Sequence, residues 1–112
     1  MIDKKQINNV VYKSYLFHKK QLQKEIKYLK NEINNMTQES DGLKGELKRA
    51  RLYRNSGRNI PNVRPECQQE WIEDTSLLIQ KLQEQIENYT QIINEKQSII
   101  SQINLNINLY TK

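Results

Sequence analysis

The sequence predicts an all-α fold: a long antiparallel helical hairpin of the coiled-coil kind, pairing with a second copy into a four-helix bundle dimer. Three observations carry this. Apolar residues recur at alternating spacings of three and four through both halves of the chain, the pattern by which knobs of one helix fill holes of another. A single short break holding Gly57, Pro61 and Pro65 separates the two halves. The halves also mirror each other about that break, position for position.

Helix one is expected over about 4–54, ending in a basic last turn with Arg49, Arg51 and Arg54 before Asn55-Ser56-Gly57. Its seam reads Leu22, Ile26, Leu29, Ile33, Met36, Ser40, Leu43, Leu47 and Ala50. Gly42 and Gly45 lie inside it, and glycine costs about 1 kcal/mol relative to alanine in a helix. The heptad phase runs through them unbroken, and both fall on outer c and f positions. A continuous helix with a soft point is therefore expected, in preference to a three-helix arrangement.

The loop follows, over about 55–65, and Pro65 suits the first turn of the next helix because its missing N–H costs nothing there. Helix two is expected over about 66–110, with Glu66, Glu70, Glu73 and Asp74 near the positive end of its dipole. Its seam reads Ile72, Thr75, Ile79, Leu82, Ile86, Tyr89, Ile93, Lys96, Ile100, Ile103, Ile107 and Tyr110.

Antiparallel seams pair an a position with a d position. Leu22–Ile100, Leu29–Ile93, Met36–Ile86, Leu43–Ile79 and Ala50–Ile72 are all centred on Pro61, inside the loop. The same centre holds for Ile26–Lys96, Ile33–Tyr89, Ser40–Leu82 and Leu47–Thr75, and further out for Lys19–Ile103, Tyr15–Ile107 and Tyr12–Tyr110. A register shifted by one heptad moves the centre off the loop. Lys19, Ser40, Thr75 and Lys96 interrupt the seam; a lysine there buries its stem and sends its ammonium to water.

Helix two carries more apolar surface than one partner can cover. Its g positions read Trp71, Leu78, Gln85, Ile92, Ile99 and Asn106, whereas those of helix one are Glu25, Glu32, Glu39 and Glu46. Leaving Trp71, Leu78, Ile92 and Ile99 in water would make a large patch for a monomer. A self-association interface on these four residues is expected, most simply a two-fold homodimer.

Composition agrees with one narrow helical domain spanning 1–112. Only 36% of residues are hydrophobic and the mean hydropathy is −0.91, too little apolar volume for a compact globule of this length. The net charge of +5 is uneven. Residues 1–33 carry eight lysines against three acids, residues 34–65 seven basic groups against three acids, and residues 66–112 three lysines against seven acids. Oppositely charged halves favour pairing with each other.

No apolar run approaches the roughly 20 residues that span a bilayer, and the start of the chain has no apolar core like that of a signal peptide. The expectation is an intracellular protein, cytoplasmic or nuclear, that does not engage a membrane.

Catalysis is not expected. His18 and Cys67 are the only imidazole and thiol, and the register sets them at opposite ends, which excludes a His/Cys metal cluster or a Cys–His nucleophile pair within one chain. Phosphate-loop, zinc-protease and serine-hydrolase motifs are absent. No cofactor, metal or small-molecule substrate follows from the residues. The glutamates at helix-one g positions read as a solvated flank.

The loop end is the expected partner site. All five arginines gather there, Arg49, Arg51, Arg54, Arg58 and Arg64, with Tyr53 and Trp71 nearby. Arginine grips phosphate with two parallel hydrogen bonds and stacks on bases, so nucleic acid is one candidate partner. An acidic protein surface is the other; Glu66, Glu70, Glu73 and Asp74 are expected across the hairpin as partners of the arginines, so the loop end is not a bare basic patch. The lysines at 4, 5, 13, 19, 20, 24, 27 and 30 spread around several helix faces and do not form the dense basic block of a DNA-binding zipper. The resulting expectation is a non-catalytic protein-interaction module, a scaffold, adaptor or small subunit of a larger assembly. The alternative is a hairpin that binds nucleic acid through its arginine-rich loop end.

Overall fold

A computed structural model describes the backbone of residues 4–111 and the side chains of 8–109. The chain is all-α: α1 spans Lys4–Asn55, a 3-10 turn spans Pro65–Cys67, and α2 spans Gln68–Thr111. The two long helices pack antiparallel as a hairpin. Their ends fall within two residues of the sequence expectation. The chain divides into two compact units. One is Ile33–Asn88, which carries the loop, and the other joins the stretch through Glu32 to the stretch from Tyr89.

In the loop-bearing unit the seam residues Met36, Leu47, Ala50, Ile72, Ile79 and Leu82 are buried, with Ile33, Leu43 and Ile86 half-buried. Leu47, Ala50, Ile72 and Ile79 form one core cluster, against which Leu43, Val63 and Trp71 pack. The expected partners Ala50 and Ile72, and Leu43 and Ile79, thus meet in a single cluster. Gly42 and Gly45 do not break α1. A Cβ at Gly42 would meet nothing within 4 Å, and one at Gly45 would lie 3.6 Å from Arg49 Nη1, so the glycines answer no steric demand.

Thr75 and Ser40 are buried with this core. Ser40 Oγ is the one buried side-chain polar atom among the described residues without a hydrogen-bond partner. A buried, unsatisfied hydroxyl costs about 1–3 kcal/mol, so this layer gives up stability.

The outer unit buries Leu22, Ile26, Ile93 and Ile103 and half-buries Tyr12, Tyr15, Lys19, Leu29, Ile100 and Ile107. The expected outermost pair cannot be followed, since the Tyr110 side chain lies outside the described residues, as do those of Lys4 and Lys5. Lys96 behaves as an amphipathic seam residue. Its stem is covered, and its Nζ donates to Glu25 Oε2 at 2.6 Å. Glu25 is therefore an ion-pair partner across the hairpin, not part of a purely solvated flank.

The loop is built from defined turns. Arg58 N–H donates to Tyr53 O at 2.8 Å and Gly57 N–H to Arg54 O at 3.0 Å, while Gly57 takes φ +73°. This is the Schellman arrangement, in which a left-handed glycine satisfies the last helical carbonyls. Ser56 Oγ also donates to Leu52 O. Val63 N–H then reaches back to Ile60 O across Pro61 and Asn62, with Asn62 at φ 64°, the pattern of a turn with proline first and a left-handed residue second. These turns place Ile60, only 6% exposed, in the core cluster. Cys67 N–H donates to Arg64 O, and Pro65 opens the 3-10 turn that leads into α2.

Candidate functional site

Two sets of residues are candidates: the arginine-rich loop end and the apolar g positions of α2. At the loop end Arg49, Arg51, Arg54, Arg58 and Arg64 are all exposed, and Tyr53 is half-buried. Arg54 Nη1 donates to Gln69 Oε1 at 2.6 Å, tying the last turn of α1 to the first turn of α2. Gln68 Nε2 donates to Asn59 Oδ1 at 3.2 Å and ties α2 to the loop. Arg49 lies back over Gly45.

The expected pairing of these arginines with Glu66, Glu70, Glu73 and Asp74 does not occur. Among the described residues the only ion pair is Lys96–Glu25. Heptad geometry explains the difference. The four acids occupy b, c and f positions, which point away from the seam on their own helix, so they diverge from the arginines instead of meeting them. Glu73 accepts from Gln69 Nε2 at 2.9 Å along its own helix instead. Among the described residues no carboxylate lies within ion-pair distance of a loop-end arginine.

A groove of about 400 Å³ runs beside the loop, lined by Arg49, Tyr53, Pro61, Asn62, Val63 and Trp71 among others. Its lining combines aromatic and aliphatic side chains with the charged Glu46 and Arg49. A second hollow is lined by Arg49, Leu52, Tyr53, Ser56 and Arg58.

No protein-family model, curated protein or solved structure matches the chain. Its function must be argued from its own surfaces.

The four g-position residues fall into two kinds. Trp71 is half-buried and packs against the core cluster, so part of its ring is committed to the chain's own fold. Leu78, Ile92 and Ile99 remain 43%, 37% and 44% exposed. Leu78 belongs to the loop-bearing unit, and Ile92 and Ile99 to the outer one. Among the described residues no group of three or more His, Cys, Asp or Glu side chains is placed to hold a metal, and no helix is long and apolar enough to cross a membrane. Cys67 is a free, half-buried thiol in the loop-bearing unit, whereas His18 is an exposed residue of the outer unit.

Four exposed leucines, Leu52, Leu77, Leu105 and Leu109, were not singled out by the sequence pattern. Leu52 is 57% exposed and Leu77 49%. Both of these sit at f positions, opposite the seam. An apolar residue at f, where the pattern expects a polar one, was the available signal.

Proposed function

We propose that this protein is a non-catalytic helical-hairpin interaction module that self-associates through α2 and offers its basic loop end to a partner, as a scaffold, adaptor or small subunit would. The observation that carries this is the contrast between adjacent columns of α2. Seam residues such as Ile79, Ile93 and Ile103 are covered, while Leu78, Ile92 and Ile99, all at one heptad position, are not. Covering them against the same column of a second copy is the simplest way to remove that apolar area from water. Replacing Ile92 and Ile99 together with Glu tests it. At about 0.5 M salt, where exposed charges are screened, the variant should keep its helical circular-dichroism spectrum and fall to the 13.4 kDa chain mass; an unchanged oligomer would contradict the reading.

The unpaired arginines favour a second reading, in which the loop end binds nucleic acid through its phosphates. Affinity for a single-stranded oligonucleotide should then fall steeply with salt and be lost when Arg51, Arg54 and Arg58 are changed to Ser. Affinity that survives this change would remove the loop end from consideration.

A further inference from the structure

The loop-bearing unit carries two exposed faces of opposite charge, each centred on a leucine. On α1, Lys48 and Arg49 lie one turn before Leu52, with Arg51 beside it. The shallow hollow next to that leucine is lined by Lys44, Lys48 and Arg51. On α2, Glu73 and Asp74 stand one turn before Leu77, with Glu70 and Glu84 a turn further on either side and Lys81 as the one cation among them. All these charged residues are exposed, and none forms an ion pair among the described residues.

We propose that a second copy of this chain docks here, the basic face of α1 around Leu52 in one molecule meeting the acidic face of α2 around Leu77 in the next. The two faces complement each other in sign, and each supplies an apolar centre that is otherwise left in water. One molecule cannot join its own two faces. Both leucines sit at f, opposite the seam, so within this unit the faces look away from each other. A second copy supplies the matching face at the same concentration as the first.

A contact between two different patches is heterologous, and it either closes into a ring or continues as a row of molecules. It does not rest on the apolar column of Leu78, Ile92 and Ile99, and it differs from that contact in its dependence on salt.

The test is the solution mass by light scattering over a concentration series, at about 0.05 M and about 0.5 M salt, a range over which screening shortens from above about 10 Å to below about 5 Å. The wild type should gain mass with concentration at low salt and lose that gain at high salt. Lys48→Glu with Arg51→Glu, and separately Glu73→Lys with Asp74→Lys, should each abolish the gain. The first variant keeps the acidic face of α2 and the second keeps the basic face of α1, so mixing them in equal amounts should restore low-salt association, which a general loss of folding could not do.

A wild-type mass that is the same at both salts overturns the proposal. So does a variant that keeps the gain, or a mixture that fails to associate. If the mass stays constant while a labelled single-stranded oligonucleotide binds and K48E/R51E removes the binding, the basic face serves nucleic acid and the proposal falls. A high-salt mass of one chain would count against the apolar column alone, so the two readings fail separately.

Discussion

The loop-bearing unit and the outer unit use the same helices but hold them together differently. In the first, the side-chain hydrogen bonds around the turn are close in sequence. Arg54 reaches Gln69 across 15 positions, and Gln68 reaches Asn59 across 9. The loop itself enters the core through Ile60. In the outer unit the cross-helix ion pair, Lys96 with Glu25, spans 71 positions and half of Glu25 is in solvent. Ordering a longer intervening chain costs more entropy, though the cost grows only slowly with length, and contacts between near neighbours form sooner. The loop thus supplies the short-range contacts of the hairpin, and the outer unit relies on its long-range seam.

The largest expected effect follows from removing the loop's plug. Ile60→Ala should cost about 3 kcal/mol, the range for emptying a buried isoleucine site, read as a lower urea midpoint. Hydrogen exchange should accelerate in both units if the loop organises the whole hairpin. Acceleration confined to residues near the loop would show that the outer unit holds itself. Gly57→Ala comes next. Its φ of +73° is one that a Cβ disfavours by about 1–2 kcal/mol, and the thermal midpoint should fall accordingly. An unchanged midpoint would mean that the Schellman turn is dispensable.

Ser40→Ala runs in the opposite direction. Deleting the partnerless hydroxyl should raise stability by up to about 1 kcal/mol, and a loss would imply that Ser40 has a partner in solution. The smallest effect belongs to the outer unit. Glu25→Gln should change stability by less than about 0.5 kcal/mol at moderate salt, as exposed ion pairs do. A large loss would make that pair a principal lock of the outer seam and reverse the comparison.

Much of this fold was legible in the residues. The spacing of Leu22 to Ala50 and of Ile72 to Ile107 set which side of each helix is covered, and Pro65 and Gly57 marked the helix ends. The phase running unbroken past Gly42 and Gly45 likewise pointed to one continuous helix. Periodicity carries such information because burial repeats with the helix. Loops have no period, so nothing distinguished Ile60 from its exposed neighbours. Charge order along the chain was misleading for a related reason. It places Arg49–Arg64 near Glu66–Asp74 in sequence, but whether two charges meet depends on the face each occupies, and the acids point outward. The exposed Leu78, Ile92 and Ile99 were legible as a column, while Trp71, at the same heptad position, spends part of its surface on the core.

The proposed dimer is joined by the apolar column of α2. The most direct measurement is the mass of the wild-type chain by light scattering at about 0.5 M salt, where contacts between exposed charges are screened, over a broad concentration range. The expected mass is twice the 13.4 kDa chain mass, reached at low concentration and unaffected by further salt. A mass of one chain throughout would contradict it.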